Sequence, residues 1–471
     1  MTAGLAAALS LFVPAQSRAQ EVDERSPEMA IPRPDAQPLT IDFSDDPVLA
    51  LGRTTAGAQR LRALVRDAVE ASPRGREAQA LEVAARARVA ESRAGYLPTI
   101  DVGMSAFKTL ERNFSDDPFN LIERSRPRER VDFTFSVAQP LVDFGRTDAQ
   151  VAAALDRLRA AGFDREARVG EVASDVVTAW SQVFAYQALE RLVAAFITGQ
   201  DGLDEAIEVR IARGVAPEGD RARVASLRAQ AEVQLARIAR LRAGAEARFE
   251  QVTGIAAPAR LMRPPLLDEG RMTRELAVLA AEETPQVRSA QALADAQAQA
   301  ARAAGAERYP TLGARVDHGR YGIYEAGRDD YDTRATLSLN WRILGGGAWA
   351  RTRAAQADAQ AADALADRIE EEARRDAAVA WADVRALETE VAALEQAYKA
   401  ARQSRDVVIA RFSAVRGTLF DVAAAQNAYL DAASAFIRAL SDLDQARYLL
   451  LLRTGRLTDA LAMDTDVGGA P

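Results

Sequence analysis

The sequence contains no cysteine among its 471 residues. Disulfides, thiol chemistry and a lipid-bearing anchor cysteine are therefore not expected. Histidine occurs once, as His318. It sits in an alternating, strand-like stretch and reads as a strand residue in a polar neighbourhood, so neither a metal cluster nor a Ser-His-Asp triad is expected. Lysine occurs only as Lys108 and Lys399, the net charge is −8, and there is no Lys/Arg-rich block. The electrostatic footprint of a nucleic-acid binder is missing. No later run approaches the ~20 apolar residues of a membrane-spanning helix. The glycine triplet 345–347 is not followed by Gly-Lys-Ser/Thr and so is no phosphate loop. The composition points to a protein that is not an enzyme and uses no cofactor and no metal.

What the chain does contain is alanine, arginine, leucine and glutamate at helical spacing, the composition of long helices. Aromatic residues cluster near 107–144 and 309–349. Residues 1–19 read as an export signal: Leu5 to Val13 is a short apolar core, Ser17-Arg18-Ala19 offers small residues for cleavage, and Gln20 would begin the mature chain. Residues 20–56 are rich in Pro, Asp and Glu and read as an extended arm. A helix is expected from 57 to 95, ended by "YLP" because the residue before proline is driven from the α region. A tail is expected from 459 to 471.

The middle of the chain repeats itself. Pro73 to Pro98 and Pro285 to Pro310 each span 25 residues, and Ala-Gln-Ala-Leu falls at the same place in both, at 78–81 and 290–293. After each second proline comes a pair of alternating segments, 99–112 with 131–142 and 311–324 with 332–343. Ile100, Val102, Met104 and Ala106 oppose Asp101, Gly103 and Ser105; Val131, Phe133, Phe135 and Val137 oppose Asp132, Thr134, Ser136 and Ala138; Leu337, Leu339 and Trp341 oppose Thr336, Ser338 and Asn340. Glycines at 145 and 345–347 let each second strand turn into a helix, after Pro140 ends regular pairing in the first copy. Two helices of unusual length follow, from Arg146 to Arg213 and from Ala348 to Ala414, each a rod of ~100 Å. Each returns as a shorter helix, 220–253 and 419–453, with a coiled-coil rhythm of apolar residues. The chain is thus a duplication of one unit, 57–260 and 261–458, with coiled-coil hairpins over 146–253 and 348–453.

Two readings of the alternating segments stand side by side. One is a half-buried antiparallel sheet on a soluble core, as part of a soluble periplasmic coiled-coil scaffold. The other is a transmembrane barrel wall, apolar outside and wet inside. The export signal and the surrounding helices favour the second. Four strands cannot close a barrel, for which ~8 are needed, and bare edges are not tolerated in lipid. Several protomers would then share one barrel.

The motifs "GYLPTIDV", "SVAQPLVDFG" and "LSLNWRILGGG", with the two helix tips "RIARGVAPEGDRARV" and "RFSAVRGTLFDVAAAQNAYLDA", resemble the TolC family of outer-membrane exit ducts over about 57–458. The C-terminal "ARYLLLLRTGRL" is similar to the branch that serves type I secretion. The resemblance implies a mainly α fold with a β-barrel portion: a homotrimer whose twelve-stranded outer-membrane barrel continues as a helical tunnel across the periplasm of a Gram-negative cell. It implies partners as well: outer-membrane lipid, a periplasmic adaptor (membrane fusion) protein and an inner-membrane transporter, of ABC type rather than proton-driven. The function implied is export, most specifically type I protein secretion, with multidrug or small-molecule efflux as the alternative.

The resemblance also places site residues. Aligning the tips at an offset of 201 sets Arg210 on Arg411 and Asp220 on Asp421. Asp421 matches a carboxylate that rings the periplasmic entrance; a second family carboxylate is Ala424 here. Asp220 matches a first-tip carboxylate that helps hold the entrance closed. Its usual aromatic and basic partners fall on Phe412 and Gly417, and Arg416 is the candidate substitute. Gly214 matches the tip glycine, whose second-tip equivalent is Val415. Gly214, Val215, Ala216, Gly417, Thr418 and Leu419 are candidates for docking the adaptor, and Val131, Phe133, Phe135, Leu337, Leu339 and Trp341 for facing lipid. Three like charges around a narrow axis favour cations. The plainer roles are a helix cap for Asp421 and Asp220 and ordinary tight turns for the tip residues.

Overall fold

The computed structural model describes residues 29–463 apart from 36, 113–118, 120, 122–124, 268–271, 325–329, 344, 346 and 415. The export signal over 1–19, the chain start at Gln20, Val415 and the last residues of the expected tail lie outside the described residues. The chain divides into two compact units. One is Met1–Arg76, Arg168–Glu283 and Ala373–Pro471; the other is Glu77–Ala167 and Thr284–Glu372. These units do not follow the two sequence repeats, because the long helices carry each repeat through both.

The first unit is helical. Its N-terminal arm is not simply extended as expected. Asp46 accepts from the backbone of Val48 and Leu49 and caps α1 (Pro47–Arg53), with Pro47 in the first turn. The helix expected over 57–95 is two, α2 (Ala58–Ala71) and α3 (Pro73–Arg93). Ser72 before Pro73 is extended, with φ −65° and ψ 129°, as the proline ring demands. The bundle is built from α4 (Arg146–Ala212), α5 (Gly219–Thr253), α8 (Ala348–Ser413) and α9 (Leu419–Arg453). Of these, α4 and α8 also contribute to the second unit. Neither contains proline, so nothing interrupts their hydrogen-bond ladders over 67 and 66 residues.

Two large apolar clusters dominate the core of this unit. In one, Phe184, Leu192 and Phe196 of α4 meet Ile238, Tyr398, Tyr429, Phe436 and Ile437, with Leu49 and Leu51 of α1. In the other, Val172, Val176, Trp180 and Val183 of α4 meet Leu61, Val65, Phe249, Tyr448 and Leu451. The spacing of three and four residues along α4 is one helix face. The expected tail begins as packed structure: α10 (Leu457–Ala460) is followed by Leu461, and Leu457 and Leu461, four apart, join the second cluster.

Buried ion pairs tie distant segments into this core. Arg263 grips Asp444 through Nε and Nη2 at 2.6 Å each and donates to the Gly52 carbonyl at 2.8 Å. Asp46 accepts from the Tyr398 hydroxyl at 2.8 Å and from Arg402. Both arrangements satisfy their charges with planar, two-pronged or multiple hydrogen bonds, the condition for burying them.

The second unit holds the sheet. Here α3, from Glu77 onward, ends in a short turn at Ala94–Tyr96, and Leu97 before Pro98 is extended. β1 (Thr99–Lys108) pairs with β2 (Glu129–Val142), β2 with β3 (Thr311–Tyr321), and β3 with β4 (Asp330–Asn340), all antiparallel, in the order β1-β2-β3-β4. A register shift falls between Pro140 and Val142, where proline lacks the donor a regular ladder requires. Gly145 and Gly347 are left-handed, at φ +81° and +72°, and each opens a long helix. The remaining helices are α6 (Arg274–Ala281) in the first unit and α7 (Pro285–Ala306) in this one. β1, β3 and β4 stop earlier than their alternation suggests, while β2 runs to Val142. Trp341 lies just past β4, whose last residue Asn340 pairs with Thr311; the next position on β3 is Pro310, which has no N–H to offer.

Candidate functional site

The register sorts every strand residue onto one of two faces, since directly opposed residues share a face. On one face Ile100 opposes Val137, Val102 opposes Phe135, Met104 opposes Phe133 and Ala106 opposes Val131. The same face continues through Val137–Val316–Ala335 and through Ala314–Leu337 and Leu312–Leu339. It is mostly apolar, with Gln139, His318, Arg320 and Thr333 among its residues, and its apolar side chains stay open among the described residues: Ile100 is 63% exposed and Leu337 is 68% exposed. Val131 and Phe135 are half-buried; Phe133, Leu339 and Trp341 are exposed. A half-buried sheet on a soluble core would have covered this face within the chain. His318 belongs to this face, beside polar residues of its own: Thr333 opposes it and Arg320 follows two positions on. It opposes Phe135 and Thr333, and its Nδ1 lies 2.8 Å from the Thr333 hydroxyl.

The other face is polar. Asp101, Ser136, Asp317 and Arg334 form one row across the strands, and Gly103, Thr134, Gly319 and Asp332 the next. Arginines on this face are tied to acids two residues away on the same strand: Arg130 to Asp132, Arg315 to Asp317 and Arg334 to Asp332. Among the described residues the outer edges of β1 and β4 have no strand beside them, which leaves two rows of backbone donors and acceptors for another chain.

The tips sit at the far ends of α4 and α8 in the helical unit. Gly214 is left-handed at φ +69°, and the Val215 N–H donates to the Arg210 carbonyl at 2.9 Å to close the turn. At the second tip the Arg416 N–H donates to the Arg411 carbonyl at 3.0 Å. Leu203, Ile207, Val224, Phe412, Leu419 and Val422 form a small core beneath both turns. Two expectations change here. Phe412 is only 6% exposed and fills this core, so it does not line an entrance within its own chain. Leu419 is only 3% exposed and offers no side chain to a partner. Gly214, Val215 and Thr418 are exposed, while Ala216 and Gly417 are half-buried.

Asp421 is not itself the cap of α9. Thr418 is the cap, accepting from the Asp421 N–H at 3.2 Å, and the Asp421 carboxylate returns the contact by accepting from the Thr418 hydroxyl at 2.7 Å and N–H at 3.2 Å. The Thr418 hydroxyl bond, then its N–H, holds the Asp421 carboxyl below the ordinary carboxylate range. Asp220 lies in the first turn of α5 and approaches Arg223 at 4.0 Å. Arg416 is exposed and does not pair with it.

One residue escaped the sequence reading. The Arg210 guanidinium stacks 4.3 Å from the centre of the Phe412 ring and donates to the Phe412 carbonyl at 2.9 Å, joining the two tips within one chain. The offset that aligns the tips had set Arg210 on Arg411, beside Phe412 in sequence, but alignment of repeats carries no information about contact between them.

By sequence no curated protein matches. Several solved structures share the fold. The outer membrane protein VceC of Vibrio cholerae has a TM-score of 0.73 at 20% identity, over 84% of this chain and 96% of that one. The CmeC outer membrane channel of Campylobacter jejuni scores 0.73 at 13% identity, over 92% and 94%. The MtrE outer membrane channel of Neisseria gonorrhoeae, in its open state, scores 0.70 at 19% identity, over 84% and 89%. The sequence family described as outer membrane efflux protein matches residues 64–255 and 276–456, one stretch in each repeat. The chain belongs to this family, the TolC-type outer-membrane channels that its strand and tip motifs resemble.

Proposed function

We propose that the chain is one subunit of a homotrimeric exit duct that lets substrates cross the outer membrane passively. Three four-stranded sheets would close a twelve-stranded barrel, and the helices would extend it into the periplasm. The uncovered apolar face of the sheet, backed by a charged face and flanked by two open edges, carries this reading. It is tested by fractionating membranes and running unheated and heated samples on a gel. A heat-modifiable trimer in the outer-membrane fraction is expected, and a soluble periplasmic monomer would sink the proposal.

The tips are proposed as the periplasmic entrance. Three copies of Asp421 would ring it, and a carboxyl held below its ordinary range keeps its charge while it braces Thr418, the cap of α9. Asp220 and Arg416 would meet neighbours there through contacts between copies. The entrance opens by population shift when an adaptor engages Gly214, Val215, Ala216, Gly417 and Thr418. Asp421→Asn removes the charge and retains an oxygen that can accept from the Thr418 cap. In planar bilayers it is expected to lower cation preference, and an unchanged reversal potential would remove Asp421 from the filter.

Cargo is proposed to be protein delivered by an ABC-type transporter, on the strength of "GTLFDV" at the second tip and "LLLLRTGRL" at the C-terminus. Small-molecule efflux is the second reading, favoured by the description of the family that matches. Deleting the gene separates them: loss of a secreted protein supports the first, and drug sensitivity with an intact secretome supports the second.

A further inference from the structure

Arg130 stands on the polar face of β2, in register with Phe107 of β1. Its guanidinium carbon lies 5.5 Å from the centre of the Phe107 ring and 5.2 Å from that of Tyr321. Its Nε reaches both oxygens of Asp132, at 2.8 and 3.0 Å. Asp132 is itself buried and accepts from the Gly322 N–H at 3.3 Å. The Tyr321 ring lies back over Gly319, where an added Cβ would fall 2.5 Å from the phenolic oxygen. Glycine at 319 is therefore what allows the ring to lie flat against the strand, and the ring in turn backs the guanidinium.

An arginine on a wet wall ordinarily samples many rotamers. This one is braced by two rings and a carboxylate, yet its side chain remains 33% exposed. Nε is engaged, and neither Nη1 nor Nη2 has a hydrogen-bond partner among the described residues. A planar pair of donors fixed in advance is the arrangement that receives a carboxylate, sulfonate or phosphate two-pronged, at little cost in ordering. Phe107, still exposed, offers an adjoining face to a planar or apolar body.

We propose that Arg130 is an anion-recognising site on the conduit wall, taking the acidic group of a passing planar or apolar solute. This rests on the barrel reading above, which turns the polar face toward the conduit and repeats the site in each copy. Asp330, opposite Tyr321 in register, works against it and supplies a control of opposite sign.

The test uses the full-length trimer in planar bilayers with naphthalene-1,5-disulfonate as the probe. Transient block of the current is expected, weakening with added salt. Arg130→Gln should raise the half-blocking concentration about tenfold. Arg130→Lys should also weaken block, since an ammonium lacks the planar fork. Gly319→Ala should weaken block without removing any charge, and Asp330→Asn should strengthen it. Each variant is first shown to form the heat-modifiable trimer with unaltered open conductance. Block that is absent in the parent channel, or unmoved by Arg130→Gln, overturns the site. A protein that forms no conducting trimer at all overturns the barrel reading and this inference with it.

Discussion

At Asp421 one carboxylate closes a helix cap and carries the charge proposed for the entrance, and pH separates the two. The Thr418 contacts lower its folded-state pKa, so its contribution to tip stability is present above the unfolded value of about 3.9 and fades as pH falls through the lower folded value. Hydrogen exchange at the first turn of α9 should therefore stay slow down to the ordinary carboxylate range and quicken only below it. Quickening near neutral pH would show that the cap does not hold. Arg263 and Asp444 present the opposite situation, with both side chains almost wholly buried. Asp444→Ala leaves the Arg263 guanidinium buried without its partner and should cost about 3–5 kcal/mol. Replacing both by apolar residues should recover most of that loss. Thermal unfolding of the three variants checks this, and equal losses in the single and double variants would contradict it.

For the elements, the physics of a strand with one face in lipid gives a sharp contrast between neighbours. Leu337→Arg puts a cation on the apolar face and should reduce trimer yield by about 2–4 kcal/mol of assembly or folding free energy. Thr336→Arg, one residue away on the polar face, should be tolerated. Equal yields from the two on an unheated gel would refute the face assignment. This much was legible in the sequence, because period-two alternation in residues such as Phe133, Phe135, Leu337 and Leu339 is local. The register was not legible: it is set by pairing across strands as distant as Phe135 and His318, so alternation alone assigns His318 no face. The break at Ser72 was written in the Ser-Pro pair, yet a proline at a helix start also fits a single helix, and only the extended backbone at Ser72 decides between them. Leu419 as a docking residue and Phe412 as a gate residue both follow from motif position, and a turn sequence does not reveal the core that forms beneath it. The contacts that fix the arm and the connector, Asp46 with Tyr398 and Arg263 with Asp444, join residues 352 and 181 positions apart, and no spacing rule reaches that far.

For the whole molecule, the question is what the open edges of β1 and β4 meet. Within one chain the two are separated by β2 and β3, so at about 4.8 Å per strand spacing they lie on the order of 14 Å apart. That exceeds the ~7 Å beyond which two cysteines cannot be bridged. The protein has no cysteine of its own, so introduced pairs report without background. Leu337→Cys on β4 can be combined in turn with Ile100→Cys, Val102→Cys, Met104→Cys or Ala106→Cys on β1, all on the same face. In a closed ring, the pair that matches the register between copies should give covalent dimers and trimers on a non-reducing gel after mild oxidation. The ladder should stop at three, because the third bond returns to the first chain. Longer ladders would mean that the edges stack without closing, and no bridging in any of the four pairs would mean that β1 and β4 do not meet across copies.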